Sequence, residues 1–202
     1  MKGGPRHYDA AYVPQDNRFP PEQLLEVARL ANQLGGRGIP KKAIHVLCTR
    51  QPAIEKKLKE VPSSVAILDD AVNIPWQSIT DLFELFRVPY VTIARYTKML
   101  HKKRPNLIPI LDSHVRNDYF LPTVVKGEFS YSSDAELATL LIKELRKDIL
   151  ENHNGLLALY EWQGKPFPVS IIRIFDILVW CRFGPASFRP RFADLYADVT
   201  KL

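Results

Sequence analysis

The sequence predicts an all-α protein of two lobes, on three observations. Apolar residues recur at three- and four-residue steps in nearly every patterned segment, the period of a helix buried on one side. Strand-like signals are confined to Tyr12-Val13 and Thr123–Val125, too short to build a sheet. The chain's 16 prolines fall mostly between the helical patterns, where they break helices and stiffen turns.

Taken in order, residues 21–34 put Leu24, Val27, Ala28, Ala31 and Leu34 on one stripe, and Gly35-Gly36 ends it. Residues 41–60 read as two short helices divided near Gln51-Pro52. Ser78 and Asp81 form a capping-box pattern ahead of Ile79, Leu82, Phe83 and Phe86, and that helix stops near Val88-Pro89. The next helix spans about 91–103 and closes at Arg104-Pro105. Asp134 is expected to cap a long helix through about 152, with Leu137, Leu141, Leu145 and Ile149 inward. Ser170 opens the last strong helix and Gly184-Pro185 ends it. The expected arrangement is a lobe over 64–153, closed by a second lobe built from residues 1–63 and 155–202.

A length of 202 residues is enough for a substantial core, and 46% hydrophobic with 25% charged residues is globular composition. The formal charge of +6 fits a partner that carries phosphate. Two cysteines, Cys48 and Cys181, imply no disulfide framework and suit a reducing cytoplasm. No stretch has the roughly 18 uninterrupted apolar residues of a membrane span, and the first residues lack the apolar centre of a secretory signal. The five histidines show no paired ligand spacing, so neither a metal nor another cofactor is expected. A monomer is expected.

The most informative stretch is 87–120. On a helix, Arg95, Lys98 and Lys102 share a face, flanked by His101 and Lys103 and followed by Arg104. No acid lies between Arg87 and Asp112, so this face reads either as a phosphate-tracking surface or as a solvated amphipathic side. The apolar loop Leu107–Leu111 then delivers Asp112 to the start of another helix. An aspartate there caps the helix, worth about 1 kcal/mol, and a carboxylate so placed can also stabilise a sugar cation or orient water.

The order of helix, tight turn, helix, apolar loop and Leu111-Asp112-Ser113-His114-Val115 resembles the core of the helix-hairpin-helix DNA glycosylases. Val88-Pro89-Tyr90-Val91-Thr92 stands at the turn, and Pro89 precedes Asp112 by 23 positions, about that superfamily's interval. The likeness covers Ser78 to Tyr119. It implies a helix-hairpin-helix-like core that binds DNA phosphates through Pro89, Tyr90, Thr92, Arg95, Lys98, Lys102, Arg104 and His114. It also implies Asp112 as the catalytic residue and a pocket for a flipped base, for which Trp162 and Phe167 are the candidates.

The departures are specific. Tyr90 and Thr92 replace the two turn glycines, which let backbone amides approach phosphate and permit positive φ. Ala94 stands where bifunctional members carry a lysine nucleophile, so only attack by water on C1′ stays open. The strings Lys103-Arg104-Pro105-x-Leu107-Ile108-Pro109-Ile110-x-Asp112 and Ile171–Trp180 are also similar to a bacterial domain family of unknown function. Within the second string, Arg173 and Asp176 lie three apart on an otherwise apolar helix and read as a buried ion pair.

Three functions follow from these residues: a monofunctional glycosylase hydrolysing the N-glycosidic bond of a damaged or modified base, a non-catalytic DNA-binding module on the same scaffold, and a structural or interaction domain.

Overall fold

The computed structural model describes residues 5–34, 38–120, 131–162 and 169–184, and every regular element among them is helical. Proline starts three of the early helices. Helix α1 (Pro5–Ala10) is followed by an irregular stretch and then by α2 (Pro21–Gln33), which Pro20 and Pro21 open. Pro40 precedes α3 (Lys41–Thr49), and Pro52 sits in the first turn of α4 (Gln51–Glu60). At these positions the fixed φ suits a helix start and the missing N–H costs nothing.

A single 3₁₀ turn (Ala71–Asn73) leads to α5 (Trp76–Phe86) and, across a short turn, to α6 (Ile93–His101). The segment His114–Phe120 is a π-helix. Then come α7 (Asp134–Glu151), α8 (His153–Trp162) and α9 (Ile171–Phe183). The expected helices over 21–34, 41–60 and 78–87 are present within a few residues.

Two caps differ from expectation. Pro75 precedes α5, so the helix begins ahead of Ser78, whose hydroxyl donates instead to Glu60 (3.1 Å). The residue capping α7 is Ser133, whose hydroxyl accepts the Glu136 N–H, while Glu136 reaches back to the Ser132 N–H (2.7 Å). At α9 the expected cap is found, with Ser170 accepting the Arg173 N–H. Gly35-Gly36, Thr123–Val125, Phe167 and Pro185 lie outside the described residues.

Helix α6 is central. It packs against α2 on one side and α7 on another, while α5 is held between α4 and α7, and α9 covers the π-helix and α8. The buried apolar residues form one contiguous cluster from Tyr8 to Val179, so the segments expected as two lobes share a core. No helix among the described residues is long and apolar enough to cross a membrane.

Candidate functional site

The turn between α5 and α6 closes with a hydrogen bond from the Val91 N–H to the Val88 carbonyl (3.0 Å), and Tyr90 has φ 71°. Pro89 at the second place and a left-handed residue at the third are the marks of a type II turn. Val88 and Val91 anchor it inward, while Pro89, Tyr90 and Thr92 face solvent. Thr92 precedes α6 without a side-chain cap, so the first amides of that helix point outward with the positive end of its dipole. Three arginines surround the turn. Arg95 donates to the Tyr90 carbonyl, Arg50 to the Leu85 carbonyl (2.9 Å) and Arg87 to Glu84 (2.7 Å).

The rest of the basic helix is placed differently from the expected phosphate-tracking face. Lys98, His101, Lys103 and Arg104 are buried, and Lys102 is half-buried. Their partners are mostly main-chain carbonyls, several of them in the irregular stretch between α1 and α2. Lys102 donates to the Ala11 carbonyl (2.9 Å), and Lys103 donates to the Pro14 carbonyl (2.6 Å) and to Asp16 (2.7 Å). Arg104 reaches the carbonyls of Gln15 (3.1 Å), Leu58 (2.7 Å) and Val61. Lys98 faces the Leu34 carbonyl at 3.4 Å. Burial pushes the Lys102 ammonium down to about 8 and the Arg104 guanidinium to about 10. Lys98 and Arg104 are thus internal cations and Lys102 is half-buried, so the three do not form an exposed phosphate-tracking face along α6.

Asp112 stands where the apolar loop ends, and the loop is held by the Leu111 N–H on Thr97 Oγ1 (3.1 Å). Its Oδ1 accepts the N–H groups of His114 (2.9 Å) and Val115 (3.1 Å), which makes it the cap of the helical turn that follows. Its Oδ2 accepts the indole N–H of Trp180. Asp112 as a residue is only 6% exposed. His114 donates from Nδ1 to Asp118 (2.7 Å) and meets the Trp180 ring edge-on at 4.9 Å.

Behind Trp180, one turn back on α9, Asp176 and Arg173 form the expected buried ion pair, and Asp9 from α1 completes it with two further bonds to Arg173 (2.9 and 3.2 Å). Burial pushes the Asp176 carboxyl up to about 7, with Arg173 opposing and Asp112 adding to the rise.

Residues 6–182 match the profile of a family described as being of unknown function, DUF6308. The chain belongs to that family. The match spans the turn, Asp112 and both strings that suggested a family of unknown function. No curated protein and no solved structure matches the chain.

Trp162, expected on a loop, is the last residue of α8 and 43% exposed. Trp180 and Asp9, by contrast, are site residues that sequence reasoning missed. Trp180 lay inside an apolar run with nothing to connect it to Asp112. For Asp9 there was a signal, since it is the one acid before Asp16. Among the described residues no group of three or more His, Cys, Asp or Glu side chains is placed to hold a metal ion.

Proposed function

We propose that this protein binds DNA as a non-catalytic module, gripping the phosphate backbone with the Val88–Thr92 turn and the amino end of α6. The observation that carries this reading is Tyr90, which holds the left-handed conformation of a turn glycine at the exposed tip between two packed helices. That conformation turns the chain so that the uncapped amides of α6 face outward, a ready anion site. Arg50, Arg87 and Arg95 add positive charge around it. The test is a salt titration of DNA affinity. Replacing Arg50, Arg87 and Arg95 together by Ala should flatten the log–log slope by roughly 2–3 units. Replacing Lys98 by Met should leave it unchanged. An unchanged slope in the triple variant rejects the assignment.

A second reading, hydrolysis of an N-glycosidic bond, is favoured by the place of Asp112 at the helix start that follows the hairpin, as in the glycosylases it resembles. In that reading Oδ1 keeps its capping role and Oδ2 faces the sugar once Trp180 moves aside. Base release from a broad panel of modified substrates, lost in Asp112→Asn, supports this second reading. Borohydride should trap no adduct, because Ala94 offers no amine. Absence of release by the wild type leaves the binding module.

A further inference from the structure

At the carboxyl end of α6, away from the hairpin, a cleft of about 380 Å³ opens between the stretch after α1, the loop after α6, and helices α8 and α9. Neither Asp112 nor the Val88–Thr92 turn lines it. Its size lies in the range of small-molecule sites, about 300–1,000 Å³.

Two adjacent residues on its wall present complementary polar atoms. His101 is 5% exposed, and its Nδ1 lies 2.7 Å from the Ile108 carbonyl. A carbonyl only accepts, so Nδ1 carries the proton and Nε2 is an acceptor. Nε2 has no hydrogen-bond partner among the described residues. Burial keeps this imidazole neutral, down to about 4. The next residue, Lys102, spends its ammonium on the Ala11 and Asp9 carbonyls (2.9 and 3.5 Å), and an ammonium has a third N–H to give.

The remaining charge is balanced internally. Arg173 gives three of its N–H groups to the carboxylates of Asp9 and Asp176 and is paired within the fold. At the rim, Tyr12 is 85% exposed and Tyr160 is 40% exposed, large rings that lose little ordering entropy when a flat ligand covers them.

We propose that this cleft binds a neutral planar heterocycle bearing a hydrogen-bond donor beside an acceptor, the amide-type edge of a nucleoside base. The ring N–H donates to His101 Nε2, the neighbouring carbonyl accepts from Lys102, and the ring face lies against Tyr12 and Tyr160. The assignment does not rest on DNA binding by the hairpin, since free nucleosides are the probe.

Calorimetric titration of the full chain with inosine tests it. Saturable binding is expected, and 1-methylinosine, which lacks the ring donor, should bind about tenfold or more weaker, the worth of one hydrogen bond. Lys102→Met should weaken inosine to a similar degree. Tyr12→Ala removes an exposed ring that the fold does not use, and it too should weaken inosine binding. Absence of saturable inosine binding, equal affinity for 1-methylinosine, or unchanged affinity in Tyr12→Ala overturns the proposal.

Discussion

Trp180 donates its indole N–H to the carboxylate of Asp112, joining two residues 68 positions apart. The bond ties the amino end of the π-helix to α9, and it fixes which oxygen of Asp112 caps and which faces the indole. Asp112→Ala removes the cap and leaves the indole N–H without its partner, at a combined cost of about 2–4 kcal/mol. In Asp112→Asn the amide nitrogen meets the indole donor, so that variant should lose about 1–3 kcal/mol. Adding Trp180→Phe to it should recover part of the loss. Urea unfolding of the two single variants and the double variant checks this, and strict additivity would show that the bond contributes nothing.

Arg104 is 1% exposed and gathers carbonyls from three parts of the chain. Arg104→Met keeps the bulk and strands those acceptors, so stability should fall by on the order of 3–5 kcal/mol. A thermal midpoint lower by about 10 °C follows for a chain of this size. A drop of only a degree or two would mean that water or neighbouring donors replace the guanidinium.

Tyr90 carries the cost of a left-handed conformation, about 1–2 kcal/mol for a residue with a Cβ. Tyr90→Gly should therefore stabilise the protein by about 1 kcal/mol after the added freedom of the unfolded chain is deducted. Tyr90→Ala keeps the Cβ and should bring no such gain. Equal effects of the two would place the change in the exposed ring rather than in the backbone.

The stability profile with pH has two opposing parts. Asp176, raised to about 7 by burial, stays protonated in the fold while an unfolded aspartate ionises near 4. Its contribution therefore falls as pH rises from about 4 to about 7. His101, lowered to about 4 by burial, resists protonation in the fold, so its contribution falls as pH drops from about 6.5 to about 4. The two slopes oppose each other across the same window. Asp176→Asn should remove the first and leave a profile that climbs more steeply from pH 4 to 7 than the wild type's. Parallel profiles from denaturant titrations at several pH values would refute the Asp176 assignment.

Much of the helical layout was legible because prolines punctuate it: Pro21, Pro52 and Pro89 each mark a helix start or a turn that the structure contains. The cap at Ser78 failed because Pro75 lets α5 begin earlier, and sequence spacing alone does not rank two possible starts. The face of Lys98 and Lys102 was read correctly as one side of a helix, but periodicity says nothing of what lies opposite. Here that is a run of main-chain carbonyls, which every residue carries and no residue type announces. Asp112 was legible as a cap for the converse reason, since its partners are the amides two and three positions on. Trp180, its other partner, comes from a distant helix and has no local signature.

The stretch between α1 and α2 has no regular structure, yet Lys102, Lys103 and Arg104 take hold of its carbonyls at Ala11, Pro14, Gln15 and Asp16. A path fastened through the main chain is largely indifferent to the side chains it bears. Substitution of the exposed Tyr12 or Gln15 should thus be tolerated by the fold while insertion or deletion is not, since either shifts every carbonyl out of register with its cation. The burden of keeping that loop in place rests on three residues almost ninety positions away, and in any related chain it is their loss, rather than change in the loop itself, that would free it.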